Sequence, residues 1–132
     1  MKGVIDMDRR DRASELRRQG FNCCQAVILA YSDLLDLPEE TLRRMGAGFG
    51  GGMGTMEGTC GALCGAQMAL GLLDAGEKPV GAKARAVLNG FKEKAGATRC
   101  RDLKGIGTGT VLCGCDDCVR FAVDALEAVQ GK

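Results

Sequence analysis

Thr59–Leu73 reads TCGALCGAQMALGLL, and its spacing decides the fold. Cys60 and Cys64 stand four residues apart, and Gly61, Gly65 and Ala69 repeat at the same interval. One helical row therefore carries thiols and the next carries residues too small to hold a neighbouring backbone away. Thr59 is a suitable N-cap, and the helix is expected to run toward Leu73. Each interior glycine costs about 1 kcal/mol of helix propensity relative to alanine, a cost that close packing must offset. The segment that packs here is expected to come within reach of Cys60 with a thiol of its own.

The same periodicity extends outward. A first helix is expected over about Asp8 to Arg18, closed by Gly20. Cys23, Cys24, Val27, Ile28, Tyr31, Leu34 and Leu35 recur on one helical face, which sets both adjacent cysteines near an inner stripe. Pro38, Glu39 and Glu40 suit the first turn of a short helix toward Met45. Gly46–Gly54, GAGFGGGMG, holds six glycines in nine residues and is expected as an irregular loop with exposed amides. A further helix is expected from Gly81 to Lys94, followed by a short turn capped by Thr98 and carrying Cys100. Gly105–Gly114 reads as loop. A last helix begins near Asp116 and ends before Gly131, with Val119, Ala122, Val123 and Leu126 inward. Extended backward, that face reaches Cys115 and Cys118. No alternating strand, repeat, low-complexity tail or long linker interrupts the pattern. The expectation is an all-α fold, one cysteine-rich domain over residues 1–132, of about five to seven helices with a glycine-rich loop.

Composition narrows the chemistry. Eight cysteines and no histidine leave no imidazole for general-base work, haem ligation or a mixed zinc site. The single C-x-x-C, Cys115 to Cys118, is followed by Val119, so covalent c-type haem is excluded. With 18 basic and 17 acidic residues the net charge is +1, which gives no attraction for nucleic acid or an anionic membrane. Arg9, Arg10, Arg12, Arg17 and Arg18 alternate with Asp8, Asp11 and Glu15 and read as a solvated face held by i to i+4 pairs. No run of about 20 apolar residues offers a membrane span. The charged opening, MKGVIDMDRRDRASELRRQG, lacks a signal-peptide core. A cytoplasmic location is expected, and in a reducing compartment many cysteines point to metal binding or redox work.

Four segments deliver these thiols: the helix at Cys23, the helix start at Cys60, the Cys100 turn and the last helix. Four converging thiolates can bind an iron–sulfur cluster or a tetrahedral zinc ion. A two-knuckle zinc ribbon and a ferredoxin C-x-x-C-x-x-C run are both missing, so the ligands must be dispersed. The rival is dithiol exchange. Cys60 and Cys115 fall near helix N-termini, which favour thiolate. Asp116 and Asp117 oppose this at Cys115, making Cys60, with only Glu57 nearby, the preferred nucleophile. Cys24, Cys64 and Cys113 read equally well as small buried apolar residues. Gly46, Gly48 and Gly51 match G-x-G-x-x-G but follow a helix and lack a Walker lysine, a poor nucleotide signal. The amides of Gly50, Gly51 and Gly52 are instead candidate donors to cluster sulfurs or thiolates. Met45, Met53, Met56 and Met68 can serve a copper site, although core packing is the stronger reading.

FNCCQAV around Cys23, the GAGFGGGMG loop, TCGALCGAQMALGL, a lone Cys100 before Arg101-Asp102-Leu103 and a cysteine-led last helix together resemble the C-GCAxxG-C-C family of redox-active proteins. The resemblance runs from about Gly20 to Leu126 in unbroken order. It implies a small helical protein whose family cysteines form a redox or cluster-binding site. Carried over, these are Cys23, Cys60, Cys100 and Cys115, with Cys118 as alternate fourth. Cys24 stands where the family often has a small residue. The family is also similar to a domain of split-Soret cytochromes, haem proteins associated with an additional iron–sulfur site; by analogy a homodimer is expected. Their haem is not carried over, because this chain lacks its motifs. The leading expectation is an iron–sulfur electron-transfer protein with a redox partner protein. The alternatives are a metal-free dithiol oxidoreductase using Cys60 and a zinc-stabilised interaction module.

Overall fold

Asp8 starts the first helix, α1 (Arg9–Arg18), by accepting the Asp11 amide on its carboxylate. The computed structural model describes residues 8–74 and 79–130. Residues 1–7, expected to lack a signal-peptide core, and Gly131, expected to follow the last helix, lie outside them. Seven α-helices and no strand occur among the described residues, so the fold is all-α, as the periodicity predicts.

α2 (Cys23–Ala30) opens with a reciprocal capping box. The Gln25 amide donates to Asn22 Oδ1 at 2.8 Å, and the Asn22 amide donates to Gln25 Oε1 at 3.0 Å. It stops short of the expected Leu35. Tyr31 leaves helical geometry at φ −107° and ψ 10°, and its hydroxyl donates to Glu127 at 2.7 Å. The turns that follow carry Leu34 outward, 55% exposed, against its expected place on the inner face. α3 (Glu39–Gly46) begins after Pro38, which occupies the N-cap position.

The glycine-rich stretch is a tight, irregular run of turns, as expected, with Met53 and Gly54 outside helical geometry. It forms a 3-10 turn at Ala47–Phe49 and a π-type turn at Gly52–Met56. Gly51, Gly52, Met53, Gly54 and Met56 all take left-handed φ there. This turn carries Met53 into solvent, 51% exposed, and Met45 is exposed as well, so neither packs in the core as expected.

α4 (Gly61–Leu73) is capped by Cys60, not Thr59. Thr59 is drawn into an isolated antiparallel bridge with Arg99. Within it the Cys60 amide donates to the Thr98 carbonyl at 2.7 Å, and the Cys100 amide donates to the Gly58 carbonyl at 2.9 Å. The bridge also displaces Thr98 as a cap, and Arg99 precedes α6 (Cys100–Leu103) in its place. α5 (Gly81–Ala95) ends at Gly96 in left-handed geometry. α7 (Cys115–Val129) starts one residue before the expected Asp116.

The small-residue row does what its spacing predicts. A Cβ on Gly65 would lie 2.7 Å from the Cys24 carbonyl, and one on Gly61 would lie 2.8 Å from the Phe49 carbonyl. α4 thus rests directly on α2, its most extensive partner. α7 packs across α1, α4 and α5, and the core between them holds Ile28, Leu63, Leu70, Phe91 and Leu126. The cations of α1 are used differently from the expected local pairs. Arg18 pairs with Glu15 within the helix, but Arg9 reaches Asp33 and Arg10 reaches Asp124. No helix among the described residues is long and apolar enough to cross a membrane.

Candidate functional site: a thiol cavity at four helix starts

Cys23 is the first residue of α2, Cys60 caps α4, Cys100 opens α6 and Cys115 opens α7. These four cysteines line one cavity of about 200 Å³, together with Arg17, Lys104, Gly51 and Met56. No carboxylate lines it. Its volume falls below the roughly 300–1,000 Å³ of pockets for organic ligands. A wider hollow beside Ala86 and Glu93 is lined by no thiol.

Local structure fixes each wall. The Thr59–Arg99 bridge holds Cys60 and Cys100 side by side. Gly52 lies so near Cys100 that a Cβ there would approach the Cys100 Cβ to 2.6 Å. Gly50 is pressed equally close to Asn22, with a Cβ contact of 2.6 Å. Of the three glycines expected to supply amides, Gly51 lines the cavity, while Gly50 and Gly52 shape its wall.

The thiols divide into unequal pairs. Cys115 is lowered to about 4, first by its hydrogen bond with Cys23, then by Arg17 and Lys104, with burial opposing. Cys23 is held well above its ordinary range by that same bond and by burial. Cys60 is lowered to about 7 by its hydrogen bond with Cys118, against burial, with help from the Ala62 and Leu63 amides and Lys104. Cys118 rises correspondingly. Cys100 is pushed up by burial. Burial also opposes the charge on Lys104, yet Coulombic attraction to Cys118, Cys115, Cys100 and Cys60 raises its pKa. Arg17 behaves likewise beside Cys23 and Cys115, and its Nε is buried without a partner.

A family model described as "Putative redox-active protein (C_GCAxxG_C_C)" matches residues 21–129. The chain belongs to this family. No curated protein and no solved structure matches it. The family is redox-active and rich in cysteine, and the matched span contains every cavity thiol. Arg17 lies outside that span.

Within this redox-active fold, several residues behave otherwise than their spacing suggests. Asp116 was expected to oppose thiolate at Cys115. Instead it accepts the Ser14 hydroxyl and pairs with Arg120 and Arg18, so its charge is already compensated. Half-buried Cys115 therefore ionises more readily than Cys60, which is 1% exposed. Cys118 sits outside the cavity, fully buried, its free thiol donating to the Cys113 carbonyl at 3.7 Å and lying beside Cys60. Cys24 faces α4, its sulfur 4.0 Å from that of Met68, and the Cys64 thiol rests against the Thr59 carbonyl. Arg17 and Lys104 are the residues that sequence reading missed. Lys104 was legible, because it follows Cys100 by one helical turn. Arg17 was indistinguishable from its arginine neighbours.

The donor set fits a metal or metal–sulfur core, with the two cations offsetting the charge of the bound thiolates. Four thiols, two cations and the positive ends of helices all address one small volume. No three thiol or carboxylate groups among the described residues converge at single-ion spacing.

Proposed function

We propose that the protein binds an iron–sulfur cluster through Cys23, Cys60, Cys100 and Cys115 and transfers electrons with a partner protein. The observation that carries this reading is the convergence of four helix-start thiols with Arg17 and Lys104 on one cavity free of carboxylates. When bound, the cluster supplies one-electron chemistry. The chain's own residues supply the rest. Cys115 and Cys60 enter as the readily ionised thiols, and Cys23 and Cys100 lose their protons on ligation. Arg17 and Lys104 balance the thiolate charge, and the Gly52–Met56 turn, with Met56 on the wall, limits water.

A single zinc ion is less well served. Zn–S bonds of about 2.3 Å place tetrahedral ligands about 3.8 Å apart, and the described thiols do not gather three at that spacing. Anaerobic reconstitution with iron and sulfide tests the proposal. The expected product is brown, holds iron and acid-labile sulfide in comparable amounts and gives a cluster EPR signal on reduction. Colourless, iron-free protein after reconstitution would defeat it.

The pairing of Cys23 with Cys115 and of Cys60 with Cys118 favours a second reading, metal-free dithiol exchange. In each pair one thiol ionises and the other stays protonated. That reading requires the free-thiol count to fall by two on mild oxidation and to recover on reduction. A constant count rejects it.

A further inference from the structure

We propose that Cys24, Cys64 and Met68 form a second sulfur site, apart from the cavity, that takes one soft monovalent ion of the copper(I) class. None of the three lines the cavity. Gly61, Cys64, Gly65 and Met68 follow the i, i+3, i+4, i+7 stripe of α4 that faces α2. At Gly65 the absent side chain lets α2 down onto that stripe, 3.3 Å from a would-be Cβ to the Cys24 Cα. The Cys24 sulfur consequently touches the thioether of Met68, with 4.0 Å between Sγ and Sδ. On its other side the same sulfur is closed in by Gly46, whose Cβ would lie 3.3 Å away.

Cys64 completes the set. It precedes Met68 by one turn, and helical side chains lean toward the N-terminus, so Met68 lies back over Cys64. The Cys64 sulfur rests 4.0 Å from the Thr59 carbonyl, and ion binding would have to turn it about χ1 toward Cys24 and Met68. A trigonal ion with metal–sulfur bonds of about 2.3 Å spaces its ligands about 4.0 Å apart, which is the Cys24–Met68 separation. Two thiols rule against magnesium, and a thioether as third ligand of a three-coordinate set suits copper(I) better than four-coordinate zinc. Cys24 is inaccessible while Cys64 and Met68 are half-buried, so the ion enters from the α4 side. On binding, Cys24 and Cys64 each release one proton as a copper–sulfur bond forms. Met68 gives a lone pair, and copper stays in the +1 state.

The test uses the full chain, reduced and anaerobic, titrated with copper(I) held by bicinchoninate. Because cavity thiols also take copper(I), the readout is the difference between wild type and variants. The double variant Cys24→Ala, Cys64→Ala is expected to retain one copper fewer per chain than wild type. Met68→Leu, nearly isosteric, is expected to hold that ion at least tenfold more weakly. X-ray absorption on the ion lost in the double variant is expected to report three sulfurs. Equal copper retention by wild type and double variant, or none by wild type, overturns the proposal. If circular dichroism finds the double variant unfolded, Met68→Leu decides alone, and an unchanged affinity overturns it. Iron and sulfide loading of Met68→Leu is expected to match wild type, so the copper and iron assignments fail separately.

Discussion

Cys115 and Cys60 are drawn toward thiolate by the same device, a protonated partner thiol that donates to the ionised one, reinforced by cations. In the reduced protein without metal, thiolate absorbance should rise first near pH 4 and again near pH 7, with the remaining thiols silent to beyond pH 9. The stability of that form follows by linkage. Cys115 binds fewer protons folded than unfolded, so its contribution grows as pH rises from about 4 toward its ordinary 9.0 and is lost as pH falls. Cys23 and Cys24 have raised values, so they favour the fold below 9.0 and withdraw that support as pH rises further. Urea midpoints against pH should thus climb and then fall, and Cys115→Ser should flatten the climb. Lys104→Gln removes a cation facing the thiolates. It should raise the pKa of Cys60 and Cys115 and make the midpoint potential of cluster-loaded protein more negative. Lys83→Gln, at a cation that pairs with Asp74 and does not line the cavity, should do neither. A potential that does not move in Lys104→Gln removes the electrostatic role.

At the scale of elements, α4 carries the most testable packing. Gly65→Ala forces a Cβ to within 2.7 Å of the Cys24 carbonyl, backbone that cannot yield cheaply. It should cost about 1–3 kcal/mol, the usual range for overpacking, and lower the iron content by prising α2 from α4. Gly71→Ala on the same helix meets open space and should stabilise by about 0.5–1 kcal/mol from helix propensity alone. Chemical denaturation of the two variants separates close packing from propensity, and equal effects refute the account. Most helices here were legible from periodicity, because an apolar face of period 3.6 is a local property. The caps were less so. Thr59 and Thr98 both look like helix starts, yet pairing their neighbours' backbones satisfies the Cys60 and Cys100 amides together. A residue distant in sequence decides that contest, and no local signal reports it. Tyr31, where α2 ends early, likewise carries a hydrogen bond to Glu127, a residue distant in sequence.

At the scale of the molecule, the proposed ligands come from four segments that the unfolded chain holds far apart. Binding should therefore act as a tether on the fold. Ligand at a thousandfold over its Kd stabilises by about 4 kcal/mol, so reconstituted protein should melt well above metal-free protein. Removing iron with a chelator should reverse the gain, and Cys100→Ser should abolish most of it. No difference in melting between the two forms would argue against ligands drawn from four elements. α1 takes part in the same closure. Its Arg9 and Arg10 pair across to Asp33 and Asp124, and Asp11 pairs with Arg120 of α7. Arg17 is thereby carried to the cavity.

The sequence by itself determined the all-α fold, the small-residue contact of α4, the absence of imidazole chemistry and the family. Each follows from spacing or composition along one stretch of chain. Only the tertiary structure decided that four helix starts share one cavity, that Arg17 and Lys104 enter it, and that Cys115 ionises ahead of Cys60. The physical reason is that charge stabilisation depends on distance and burial in three dimensions. The fate of Asp116 illustrates it: adjacent to Cys115 in the chain, it accepts the Ser14 hydroxyl and is paired with Arg18 from α1 and with Arg120 one turn on.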